Sequence, residues 1–198
     1  MSKLFILRHG NTFDKGDVIR RVGARTDLPL SASGSAQAAA LAAHFERENI
    51  SFTHVFSSPL QRARMTAEAA ARGVRIKTLP LLTEIDYGPD EGAPEDAVIA
   101  RIGAKALQDW DERAVPPPGW RVEPAALIAG WKAFFADCAI LGGPILAVTS
   151  NGVARFALDA ADAMAGNFSR KLKTAAWGRV EIKDNGEAVI TSWNERAS

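Results

Sequence analysis

The chain has 198 residues, 47% of them hydrophobic and 24% charged, an ordinary globular composition with enough length to bury one substantial core. Its formal net charge of +1 gives no global field for gripping nucleic acid or an anionic membrane, so an anion site has to come from locally clustered arginines and the partner is expected to be small. Cys138 is the only cysteine, which excludes a disulfide framework and a cysteine-based metal cluster and fits a reducing, cytoplasmic setting.

Leu4-Phe5-Ile6-Leu7 is too short for a signal-peptide core or a membrane span, and residues 3–7 read as a strand buried on both faces. The strand runs into Arg8-His9-Gly10-Asn11-Thr12, which puts polar chemistry at its carboxyl end. Within residues 31–48, Ala38, Ala39, Leu41, Ala42 and Phe45 recur at helical spacing behind capping serines. Residues 54–56 read as a second strand. Ser57-Ser58-Pro59 then predicts a helix start, with serine capping free N–H groups and proline at the first helical position, and the helix is expected to reach about residue 72.

Residues 75–79 alternate as a strand, 82–92 form a loop rich in carboxylates and glycines, and 94–112 read as a helix. Pro116-Pro117-Pro118 forces an extended connection over residues 115–119. A long helix over 123–141 follows, and Gly142-Gly143-Pro144 breaks the chain before a short apolar strand at 145–149. That strand also ends in a polar turn, Ser150-Asn151-Gly152, with a helix expected over 153–165. Strands at 178–183 and 188–193 flank Asp184-Asn185-Gly186-Glu187, where Asn-Gly is a strong hairpin signal.

This alternation predicts an α/β protein, a three-layer α/β/α sandwich with a mostly parallel central sheet. The expected organisation is a single domain over residues 1–198, with 93–122 as a cap or specificity insertion. Ligands of such sheets bind beyond the carboxyl ends of the strands, where both polar turns lie.

Leu7-Arg8-His9-Gly10-Asn11-Thr12 resembles the signature that opens the histidine phosphatase (phosphoglycerate mutase-like) superfamily. The resemblance continues in family order through Asp27-Leu28-Pro29-Leu30-Ser31 with Gly34 and Gln37-Ala38, then Ser57-Ser58-Pro59-Leu60-Gln61-Arg62-Ala63-Arg64 and Thr66-Ala67-Glu68. It closes on Leu82-Thr83-Glu84-Ile85-Asp86-Tyr87-Gly88 with Glu91-Gly92, so it covers most of residues 3–92, and it extends more loosely through Pro118-Gly119 to Glu123 and the segment 145–156. It implies a phosphoglycerate mutase-like fold and a phosphomonoesterase working through a phosphohistidine intermediate. The implied substrate is a small phosphorylated metabolite or a phosphoprotein, with no cofactor, no metal, and no nucleic-acid or membrane partner.

Phosphoryl transfer needs positioned cations around the equatorial oxygens, an in-line nucleophile and a proton for the leaving oxygen. Arg8 and Arg62 offer planar donor forks that match phosphate, with Arg62 near a helix N-terminus. His9 is the nucleophile candidate, because a neutral imidazole nitrogen attacks phosphorus if the other nitrogen's N–H is held by an acceptor. Asn11 and Asn151, in the two polar turns, are further phosphate-binding candidates. The resemblance selects Glu84 as general acid, whereas spacing alone leaves Asp86 and Glu91 as competitors. His44 and His54 read as surface or packing residues.

The family carries a second histidine after the strand near residue 149, and alignment on Val148, Gly152, Val153 and Arg155 puts Ser150 in its place. Losing such an electrostatic donor typically costs on the order of 10²–10³ in rate, which the Ser150 hydroxyl can soften as a phosphate ligand. Ser150 or Asn151 can instead simply cap the following helix. The substitution raises the alternative of a catalytically weak or inactive phosphate-ligand binding protein. A phosphosugar mutase is less favoured, because Lys15 stands where the family's sugar-phosphate mutases carry an asparagine.

Overall fold

A computed structural model describes residues 1–197, so Ser198 lies outside the described residues. The strands are β1 (Ser2–Arg8), β2 (His54–Ser57), β3 (Ile76–Thr78), β4 (Pro144–Thr149), β5 (Ala163–Met164), β6 (Ala176–Ile182) and β7 (Ala188–Arg196). They form one sheet in the order β3-β2-β4-β1-β6-β7-β5. Pairing is parallel from β3 through β1 and between β5 and β7, and antiparallel on both sides of β6.

Alternation along the two central strands builds a core on each face of the sheet. Phe5 and Leu7 of β1 and Leu146 and Val148 of β4 face helices α1 (Ala32–Arg47) and α2 (Gln61–Ala70), joining Leu41, Phe45, Ala63 and Ala67. Leu4, Ile6, Ile145 and Ala147 point the other way, to Trp131, Phe134, Phe135 and Cys138 of α5 (Pro124–Leu141) and to Phe156 and Ala157 of α7 (Phe156–Ala160). These are the three layers that continuous apolar strands require. By length and composition α5 could cross a membrane, but its aromatic face packs on this core.

Ser31 caps α1 as expected, its hydroxyl accepting from Gly34 N at 3.2 Å. The loop after β1 packs tightly on this helix start: a Cβ on Gly34 would lie 2.0 Å from the Asn11 carbonyl oxygen, and one on Gly10 2.6 Å from that of Gly34. The Asn-Gly hairpin forms, with Gly186 at φ +87° and Lys183 N donating to Glu187 O.

Three local expectations are corrected. The helix after Ser57-Ser58-Pro59 starts at Gln61 and ends at Ala70, with Leu60 at the cap position and no side-chain cap. The Ser57 hydroxyl donates instead to Ser58 O, and the Ser58 hydroxyl accepts from Leu60 N, which turns the chain before the helix can start. The helix expected over 94–112 is broken at Gly103, at φ +81°, into α3 (Glu95–Ile102) and α4 (Ala104–Arg113). The helix expected over 153–165 is two short turns, α6 (Asn151–Ala154) and α7, followed by β5. Beyond Ala160 the edge of β7 outcompetes the helix, as Asp162 N and Ala165 N donate to Ala188 O and Ile190 O.

Candidate active site

The carboxyl ends of β1 and β4 lie side by side, with His9 N donating to Thr149 O at 3.1 Å. Beyond them opens a cavity of about 570 Å³ bordered by Arg8, His9, Asn11, Glu84 and Asn151 among others. Most of the residues singled out from sequence therefore converge. Arg62 and Ser150 lie behind the cavity wall, 0% and 1% exposed.

His9 is buried and held from both ring nitrogens. Nδ1 lies 2.7 Å from the Gly10 carbonyl oxygen, and because a carbonyl only accepts, the proton sits on Nδ1. Nε2 thus carries the lone pair and accepts from Arg62 Nε at 3.2 Å. Burial first, then the charges of Arg62 and Arg8, push the imidazole pKa well below its usual 6.5, so the ring is neutral near pH 7. On α2, the Thr66 hydroxyl accepts from Gly10 N and donates to Arg62 O, coupling the turn to the helix that carries Arg62.

The rest of the Arg62 guanidinium is bound to backbone: Nη1 donates to Thr26 O at 2.8 Å, and Nη2 to Val22 O and Gly23 O at 3.2 Å. That loop is shaped by Glu91, whose carboxylate accepts from Gly23 N, Arg25 N, the Thr26 hydroxyl and Tyr87 N. Asp86 is engaged with Gly88 N, Arg25 and Arg121. Neither competitor borders the cavity. Glu84 does, and it is buried, accepting from Ile85 N at 2.9 Å, Gly152 N at 3.3 Å and the Tyr87 hydroxyl at 3.4 Å. Gly152 is required for this approach, since a Cβ there would lie 2.3 Å from Glu84 Oε1. Burial and then Glu84 push the Tyr87 phenol pKa up, so it stays a donor to the carboxylate.

Arg8 donates through Nη1 to Leu172 O at 2.9 Å, while its buried Nε has no hydrogen-bond partner among the described residues. Asn11 donates to the Ser33 hydroxyl, and Asn151 Oδ1 accepts from Leu172 N at 2.7 Å. Ser150 precedes α6, yet its side chain makes no cap bond, and its buried hydroxyl has no partner among the described residues. Side-chain capping by Ser150 is thereby corrected. His44 packs on Trp177 and His54 contacts Thr53, both away from the site.

Sequence reasoning did not single out Tyr87, Arg21, Lys171 or Arg155 as site residues, although all four border the cavity. Tyr87 and Arg155 stood inside quoted motif segments. Lys171 carries no local signal, being placed only by the path of the chain before β6.

A parallel-centred sheet with a histidine of fixed tautomer and buried arginines at its carboxyl edge defines the class of α/β proteins that handle phosphoryl or related anionic groups. The chain belongs to the histidine phosphatase superfamily (branch 1), whose family model matches residues 4–196. It is similar to the fructose-2,6-bisphosphatase TIGAR of Xenopus laevis, 36% identical over 139 residues that make up 67% of this chain and 48% of that protein. It is also similar to the probable phosphoglycerate mutase GpmB of Proteus mirabilis, 38% identical over 90 residues, or 44% of this chain and 40% of the relative. The matched stretches thus span half or less of these curated relatives. A mycobacterial glucosyl-3-phosphoglycerate phosphatase shares the fold, with a TM-score of 0.80 at 21% identity over 100% of both chains.

Proposed function

We propose that the protein is a phosphomonoesterase that passes the phosphoryl group through His9. The observation that carries this is the held imidazole: Nδ1–H is fixed on Gly10 O, so the lone pair lies on Nε2 in a ring kept neutral by its surroundings, and attack requires that Arg62 Nε release it. Nε2 attacks phosphorus, and the bond from phosphorus to the ester oxygen breaks as that oxygen takes a proton from the Glu84 carboxyl. Water then attacks the phosphohistidine and loses its proton to the Glu84 carboxylate, which releases phosphate and restores His9. Arg8 offers its unpaired Nε to the phosphoryl oxygens. Arg62 holds His9 through Nε from behind the wall. Asn11 and Asn151 border the cavity, and Ser150 adds a hydroxyl if the wall opens to a bound anion. The phosphatase names of the TIGAR and glucosyl-3-phosphoglycerate relatives support the reaction class.

Brief incubation with labelled phosphate monoesters, chelator present, and an alkaline quench is expected to trap label on the protein in a bond stable to base and labile to acid, and absent in His9→Ala. Acid-stable label, or label persisting in His9→Ala, would remove His9 as nucleophile. Ser150, standing where the resemblance expects a second histidine, favours a second reading, a phosphate-ligand binding protein. Tight binding of inorganic phosphate with neither label nor turnover across the panel selects it.

A further inference from the structure

The cavity is far larger than a phosphoryl group, and its outer wall carries cations that phosphoryl transfer does not use. Arg155 is 0% exposed and borders the cavity, its guanidinium stacked 4.0 Å from the Trp110 ring centroid. Its Nη1 donates to Trp110 O and its Nε to Asn151 O, which leaves the group against α4 rather than against β1. The buried Nη2 has no hydrogen-bond partner among the described residues; the nearest carboxylate, Asp111, is 3.6 Å away. Lys171 Nζ lies 3.6 Å from the other oxygen of the same carboxylate. Two cations thus share one half-exposed carboxylate at a distance too long for a hydrogen bond, and the wall keeps a net positive charge beside an aromatic face. The other carboxylates on the cavity are engaged elsewhere: Glu84 accepts from Ile85 N, Gly152 N and the Tyr87 hydroxyl, Glu95 pairs with Arg21, and Asp14 accepts from Ser31 and Ser33 at the start of α1. An unpaired donor on a fully buried arginine is costly unless a ligand satisfies it.

We propose that Arg155 and Lys171 form a second anion subsite, so that the preferred substrate is a phosphomonoester carrying a further anionic group, carboxylate or phosphate, a short linker away from the transferred phosphoryl. The subsite rests on the assignment of the His9 floor to the phosphoryl group, and its test therefore reads binding apart from turnover. Asp111 acts as the displaceable counter-ion: an incoming carboxylate offers Arg155 the close pairing that Asp111 at 3.6 Å does not.

The test compares two non-hydrolysable ligands by calorimetry, propylphosphonate and phosphonopropionate, which differ by a terminal carboxylate in place of a methyl group. Phosphonopropionate is expected to bind at least about tenfold more tightly, the scale of one charge-assisted hydrogen bond. Lys171→Ala should shrink that ratio several-fold, and Asp111→Asn, which removes the competing carboxylate, should enlarge it. Both side chains are substantially exposed, so these variants keep the fold that a change at buried Arg155 puts at risk. An extended arm with a bisphosphonate separates a site for a second phosphate from one for a carboxylate. The subsite is overturned if neither phosphonate binds, if the two bind equally, or if the ratio ignores both substitutions. Loss of phosphohistidine label with the ratio intact would remove the phosphatase assignment alone, and label with no ratio would remove the subsite alone.

Discussion

At the scale of single residues, the buried hydroxyl of Ser150 sets stability against function. A buried hydroxyl with no partner costs about 1–3 kcal/mol relative to one that is satisfied. Ser150 is in that condition among the described residues, at 1% exposure. Ser150→Ala should therefore raise the unfolding free energy by about 1 kcal/mol in urea titration. If the hydroxyl serves the phosphoryl group, the same variant weakens inorganic phosphate binding by about tenfold, the worth of one hydrogen bond to a charged ligand. A stability gain with phosphate affinity unchanged would leave Ser150 without a part in phosphate binding.

At the scale of elements, the site depends on how closely the loop after β1 meets α1. Gly10 and Gly34 touch backbone to backbone, and the Ser31 hydroxyl and Asp14 carboxylate bind the free N–H groups of the first helical turn. Gly34→Ala would add a methyl group 2.0 Å from the Asn11 carbonyl oxygen, and backbone cannot turn aside as a side-chain tip can. Although alanine favours helix intrinsically, the substitution is expected to destabilise the protein by about 2 kcal/mol or more, as overpacking does. Phosphate affinity should fall with it, since Asn11 and His9 ride on the same loop. A neutral or stabilising outcome in thermal unfolding would show that α1 can shift without cost.

At the scale of the whole molecule, folding buries His9 and brings onto its ring the guanidinium of Arg62, 53 positions away in the chain. The lowered imidazole pKa is thus a stability term. Near pH 7 the ring is neutral in both states and the term vanishes. As pH falls below the unfolded value near 6.5, the unfolded chain takes up a proton that the native site resists, and stability is lost. Between about pH 7.5 and about pH 5.5 the wild type should lose up to about 1 kcal/mol more than His9→Asn, measured by urea unfolding at each pH. Equal losses would mean that His9 titrates alike in both states.

The sequence by itself determined the α/β class, the mostly parallel sheet, the hairpin and the family, because continuous apolar strands, Asn-Gly turns and an ordered motif series are local patterns. It brought His9, Arg8 and Glu84 forward for the same reason: each sits in or beside a motif whose chemistry is written in neighbouring residue types. Local pattern also misled. Serines before α2 and a helical run after residue 153 looked sufficient for capping and for a long helix, yet a turn at Ser58 and the open edge of β7 decided otherwise. Spacing left Glu84, Asp86 and Glu91 open and the resemblance chose Glu84; the tertiary structure adds the physical difference, because a carboxylate's place depends on the loops around it, and four donors converge on Glu91 from residues 23–26 and Tyr87 while Glu84 borders the cavity. Only the tertiary structure brought Arg155, Trp110 and Lys171 to one wall of the cavity, since Trp110 and Arg155 stand 45 positions apart and residues carried on three separate segments have no periodicity to read.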